Sequence, residues 1–284
     1  MTGGWQSYAP QPGSTVTGTL LQWAGVGDAQ HAPRTLLAWL PPSYAQDTDR
    51  RYPVIYFHDG QNVFDAATSF SGEWGADEVL TDLAGEGLEA IAIGIPNGGE
   101  RRFHEYSPGP PCAEALAEVP PGSGGGADAY LDFLANTVRP LVNRTLRTRP
   151  EPQHTALVGS SMGGVVSLHG LLTRPDVFGH AGVMSPAFWT GGEFALRQAA
   201  ASPLPAGRVW LDVGGRESEN PVRAAAYHRE AQALADHWQA RGMGKRLLFR
   251  YDPQATHHES AWRARLPDAL RFLLGGLLAP EDGA

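Results

Sequence analysis

Two short segments of the chain are apolar at every position, Val54-Ile55-Tyr56-Phe57 and Ala90-Ile91-Ala92-Ile93-Gly94-Ile95. A strand with one face in water alternates apolar and polar residues, so unbroken runs of this length predict strands covered on both faces by helices. Further strands are expected over Thr15 to Trp23, over Arg34 to Leu40 before Pro41-Pro42, and over Thr155 to Val158, Ala181 to Met184, Val209 to Val213 and Leu247 to Tyr251. Helical spacing of apolar residues is expected over 76–84, 130–138 with Pro140 as a kink or restart, 163–173, 192–201, 221–241 and 259–278. Strands that alternate with helices give an α/β fold with a largely parallel central sheet and helices on both faces. No repeat or linker divides the chain, so residues 1–284 are expected as one domain, its first strands at about 15–40. Between Ser107 and Ala127 the pattern lapses into prolines and a Gly122-Ser123-Gly124-Gly125-Gly126 run. A stretch of that length is expected to be a lid, a binding loop or an insert.

Composition narrows the partners. A formal charge of −8, with 22 Lys and Arg against 30 Asp and Glu, supplies no basic patch for a nucleic-acid backbone. No apolar run is long enough to span a bilayer, and Met1 to Tyr8 lacks the form of a signal peptide, so a cytoplasmic protein without a membrane partner is expected. The single Cys112 has no partner for an internal disulfide and no neighbouring metal ligands. High counts of 35 Gly and 23 Pro fit many loops between short elements.

Candidate chemistry begins at Gly159-Ser160-Ser161-Met162-Gly163, where an apolar strand breaks into Gly-x-Ser-x-Gly and then a helix. Small residues beside Ser161 allow a sharp strand-to-helix turn that exposes its hydroxyl, and the Met162 N–H at the helix start can hold an oxyanion. A serine needs a base oriented by a carboxylate, and on this scaffold the chain order is Ser, acid, His. His257 and His258 lie beyond the last strand; His257 is preferred as base, because His258 stands next to the helix start at Glu259. Glu217, beyond the strand Val209 to Val213, is the preferred acid, with Asp212, Glu219 and Asp252 as alternatives. The second oxyanion donor is expected in His58-Asp59-Gly60-Gln61-Asn62, at the Gln61 N–H, with Asp59 fixing the loop.

These segments together resemble the Putative esterase family of α/β-hydrolases, which includes esterase D, enterochelin esterase, feruloyl esterases and the antigen 85 mycolyltransferases. The likeness runs through Tyr52 to Asp65, Arg102 to Pro108, Gly159 to Gly164, Met184 to Trp189, Val213 to Glu217 and His257 to Trp262, about residues 34–275 in all. It implies an α/β-hydrolase fold with Ser161 as nucleophile, Glu217 as acid and His257 as base, and with the N–H groups of Gln61 and Met162 as oxyanion hole. Where the family commonly has His-Asn-Glu, this chain has His257-His258-Glu259. Arg102 and Tyr106 are expected at the pocket rim or in an internal anchor of the loop, and Trp189 in the substrate pocket or in the core. The expected activity is hydrolysis of small-molecule carboxylic esters, short-chain or aryl, with siderophore-type and sugar esters also open, needing no metal or organic cofactor. An acyltransferase on the same scaffold and an inactive binding domain are the alternatives.

Overall fold

The computed structural model describes residues 3–113, 115–117, 119, 122–191 and 194–279. In chain order the elements are β1 Gln6–Ser7, β2 Thr19–Val26, β3 Arg34–Leu40, β4 Val54–His58, α1 Ala76–Gly85, β5 Ile91–Ile95, α2 Arg102–Tyr106, α3 Ala127–Phe133, α4 Arg139–Thr145, β6 Thr155–Ser160 and α5 Met162–Thr173. They continue as β7 His180–Met184, α6 Phe194–Ala201, β8 Val209–Arg216, α7 Pro221–Ala240, β9 Leu247–Thr256 and α8 Glu259–Leu277. The nine strands among the described residues join one sheet in the order β1-β2-β3-β5-β4-β6-β7-β8-β9. The pairs β1·β2, β2·β3 and β3·β5 are antiparallel, and from β5 to β9 every pair is parallel. This is the α/β-hydrolase architecture.

The apolar runs are buried on both faces, as an unbroken pattern requires. Val54, Tyr56, Leu157, Val183 and Leu211 pack on the side of α3 to α7, while Ile55, Phe57, Val158, Met184 and Trp210 pack against α1 and α8. Pro140 does restart a helix: a π-helical turn at Leu134–Val138 follows α3, and α4 begins with Pro140 in its first turn. Strand β9 runs five residues beyond the expected Tyr251, through Pro253. It lies at the sheet edge, where a missing N–H is tolerated. Asp252 is therefore inside a strand, and β9 delivers His257 directly to the carboxyl end of the sheet.

The 107–127 segment is tied at its base by the Ala127 N–H to the Ser107 carbonyl, and Cys112 donates its N–H to Thr190 O at 3.0 Å and its thiol to Trp189 O at 3.2 Å. Among the described residues no helix is long and apolar enough to cross a membrane.

Candidate active site

Ser161 sits between β6 and α5 at φ 57° and ψ −122°. Three non-glycine described residues have positive φ, namely Asp59, Ser161 and Ser185, and they follow β4, β6 and β7 at the carboxyl edge of the sheet. Such backbone costs about 1–3 kcal/mol per residue and persists only where its surroundings impose it. At Ser161 the N–H is held by Met184 O at 2.9 Å. Gly159 has no room for a side chain, since a Cβ would stand 2.6 Å from Gly163 backbone. At Gly164 it would stand 3.1 Å from Met184 O. The flanking glycines thus let helix and strand close on each other while Ser161 projects outward.

Glu217 and His257 meet. His257 Nδ1 lies 2.6 Å from Glu217 Oε2, and the other carboxylate oxygen accepts from the Ser185 hydroxyl at 2.6 Å and from the Gly214 N–H. Burial pushes the Glu217 carboxyl up, but the His257 ring, Ser185 and Gly214 outweigh it and hold the carboxyl below its usual value. His258 does other work: as N-cap of α8 its Nδ1 accepts the Ser260 N–H at 3.2 Å. The two rings are thereby separated into one that faces a carboxylate and one that caps a helix.

Behind the carboxylate, the Ser185 hydroxyl also accepts from Trp262 Nε1 at 3.1 Å and from Arg265 Nη2 at 2.8 Å. One donor and two acceptor positions are then filled, the full capacity of a serine hydroxyl. Arg265 pairs with Asp212 at 3.2 Å, and Asp212 also accepts from Trp210 Nε1 at 2.6 Å. Burial raises Asp212 to about 6 against the pull of Arg265. Among the described contacts none of Asp212, Glu219 and Asp252 is bonded to the His257 ring, which pairs with Glu217.

Gln61 lies in a 3-10 turn, Gly60–Asn62, entered through the left-handed Asp59 at φ 53°. A Cβ on Gly60 would stand 2.4 Å from the β5 backbone, so glycine lets this turn lie on the sheet edge. Asp59 is gripped by Arg102, Nε to Oδ1 at 2.7 Å and Nη2 to Oδ2 at 2.8 Å, and by Asn97 Nδ2 at 2.6 Å. Burial opposes ionisation, yet Arg102 prevails and Asp59 is held below the usual carboxylate range. Arg34 on β3 braces α2 by a bidentate pair with Glu105, at 2.9 and 3.2 Å. In front of this arrangement opens a cavity of about 1000 Å³ lined by Gln61, Asn97, Arg102, Ser161, His257 and Trp262 among others. Ser161, His257 and Gln61, the expected nucleophile, base and oxyanion donor, therefore share one chamber, and Met162 opens α5 beside them.

The Putative esterase family model matches residues 29–273. The chain belongs to this family. It is similar to YbbA of Bacillus subtilis, an uncharacterised protein, with 28% identity over 250 residues covering 85% of this chain and 93% of that one. It is also similar to the siderophore triacetylfusarinine C esterase of Aspergillus fumigatus, with 32% identity over 201 residues, 66% of this chain and 62% of that enzyme. The chain thus spans less than two thirds of the latter's length. In fold it matches an IroE-like serine hydrolase from Shewanella oneidensis, with a TM-score of 0.72 and 22% identity over 96% of this chain and 80% of that one.

For Tyr106 and Trp189, each expected either at the pocket or inside the fold, the structure places both away from the cavity wall. Tyr106 is fully buried, with its hydroxyl accepting the Asp59 N–H at 3.2 Å and its ring against His58 and Tyr130, so it supports the loop from behind. Trp189 is absent from the cavity wall; the Arg223 guanidinium lies 4.1 Å over its ring, and it adjoins Tyr227. Arg102 does line the cavity, but as the partner of Asp59. No described residue of 107–127 lines it either. Sequence reasoning missed Ser185, Arg265 and Trp262, and also Tyr227, whose hydroxyl interacts with Ser161 and whose ring packs 5.3 Å from that of His257. The Ser185-Pro186 step after a strand was the one available signal; nothing local marks the other three.

Proposed function

We propose that the protein is a serine carboxylic-ester hydrolase working through an acyl-enzyme, with Ser161 as nucleophile, His257 as base and Glu217 as the orienting acid. Membership of an esterase family supports ester hydrolysis, and the 2.6 Å contact between His257 and Glu217 beside the strained Ser161 is the observation that carries the catalytic assignment. His257 Nε2 takes the Ser161 proton as Oγ attacks the ester carbonyl, and the carboxylate of Glu217 fixes the ring tautomer and stabilises the imidazolium. Charge developing on the carbonyl oxygen is held by the N–H groups of Gln61 and Met162. His257 then protonates the leaving alcohol, and a water activated by the same ring cleaves the acyl-enzyme.

A chamber of about 1000 Å³ accepts esters larger than simple acetates. Bulky aryl or multi-ester molecules are accordingly the proposed substrates, in keeping with relatives named as siderophore esterases. The test is hydrolysis of p-nitrophenyl esters from acetate to laurate by the native protein and by Ser161→Ala. Loss of at least about a thousandfold in kcat is expected in the variant. Activity that survives the substitution overturns the assignment of Ser161, and ester product found on addition of an alcohol would move the reading to acyl transfer.

A further inference from the structure

The wall of the Ser161 chamber is selective by charge. Its one guanidinium among the described lining residues, Arg102, is engaged through Nε and Nη2 in a two-point pair with Asp59. Glu259, in the same wall and only 8% exposed, has a single long hydrogen bond among the described contacts, from Asn62 Nδ2 at 3.5 Å. Two carboxylates against one guanidinium leave the wall with a net negative charge and with acceptor capacity unfilled at Glu259. An anion that competed for Nε and Nη2 of Arg102 would leave buried Asp59 unpaired in the loop that carries Gln61, and one at the remaining Nη1 would meet a guanidinium whose charge Asp59 already balances. Apolar surface completes the wall: Trp74 and Trp262 lie with ring centroids 6.0 Å apart, and Phe70 stands 90% exposed at the mouth. The chain's overall charge of −8 acts in the same direction at longer range.

We propose that this site takes uncharged esters whose non-reacting part offers hydrogen-bond donors to Glu259, and that it rejects anionic esters; this rests on the esterase reading above. Glu259 is the specificity-determining residue, and the charge of Arg102 does not offset it because Asp59 already balances that charge.

Two matched pairs of esters test this at mildly alkaline pH. One pair places the charge on the acyl side, p-nitrophenyl hexanoate against p-nitrophenyl hydrogen adipate. The other places it on the alcohol side, p-acetoxybenzamide against p-acetoxybenzoate. In at least one pair the neutral ester is expected to have a kcat/KM about tenfold or more above the anionic one, and the ratio should shrink as salt rises toward about 1 M. Glu259→Gln should cut the same ratio severalfold, with circular dichroism checking that the variant is folded. Equal rates within both pairs in the native protein overturn the charge selection while leaving the esterase reading intact. A ratio untouched by Glu259→Gln in a folded variant removes Glu259 as its source. Hydrolysis of none of the four esters, with no labelling of Ser161 by a phosphonate, would overturn the esterase reading and this proposal together.

Discussion

Replacing Ser185 with alanine removes a hydroxyl on which Glu217, Trp262 and Arg265 converge. Glu217 would keep His257 on one oxygen and the Gly214 N–H on the other, and Arg265 would keep Asp212. The Trp262 N–H would lose the one partner it has among the described contacts. Loss of a bond to a charged group costs about 1.5–3 kcal/mol, and a buried donor left unsatisfied about 1–3 kcal/mol, so stability should fall by about 2.5–6 kcal/mol. The catalytic effect should be smaller than removal of the acid, because the Glu217–His257 contact survives. If half of the lost bond is felt in the transition state, kcat/KM falls about threefold to tenfold, against about a thousandfold or more for Glu217→Ala. Urea unfolding and steady-state hydrolysis of p-nitrophenyl butyrate measure the two quantities, with kcat expected to drop and KM to change little. Stability unchanged to about 0.5 kcal/mol together with kcat/KM unchanged to about twofold would refute the idea that Ser185 anchors the acid.

The paired histidines should separate cleanly: His257→Ala loses about a thousandfold or more in kcat, whereas His258→Ala loses about 1 kcal/mol of stability as a missing helix cap, and comparable activity losses in both would contradict their division of labour. Arg102→Ala leaves Asp59 with Asn97 as its remaining side-chain partner, so a destabilisation of about 3–5 kcal/mol with a fall in kcat is expected; a rise in KM alone, without loss of stability, would return Arg102 to direct substrate contact. Burial lowers both His58 and His180 from the usual 6.5 to about 4. The unfolded chain then binds protons that the folded protein excludes, so stability is present above the unfolded value and drains away as pH falls toward the folded one. From about pH 7 to about pH 5 each histidine should remove roughly 2 kcal/mol, read as a falling urea midpoint; a flat midpoint over that range would show that neither ring is held neutral.

What the sequence determined by itself is what local backbone chemistry encodes. Unbroken apolar runs marked β4 and β5 as buried strands, Gly159 and Gly163 marked the turn at Ser161, and the positions of Glu217 and His257 after late strands marked them as the pair that meets in the structure. The π-helical turn before Pro140 and the extra length of β9 escaped because neither has a distinctive local pattern. Tertiary structure alone decided which residues of a doubly buried strand face which layer: Ile55 and Phe57 look toward α1 and α8, Val54 and Tyr56 the other way. When both faces are apolar, alternation leaves no trace in composition. It alone also decided that Tyr106 supports the loop from inside and that Trp189 stands off the cavity. The node at Ser185 belongs to the same class, since it joins partners 32, 77 and 80 residues away. Hydrogen bonds across such separations depend on how layers pack, and packing is a property of the whole chain rather than of any window along it.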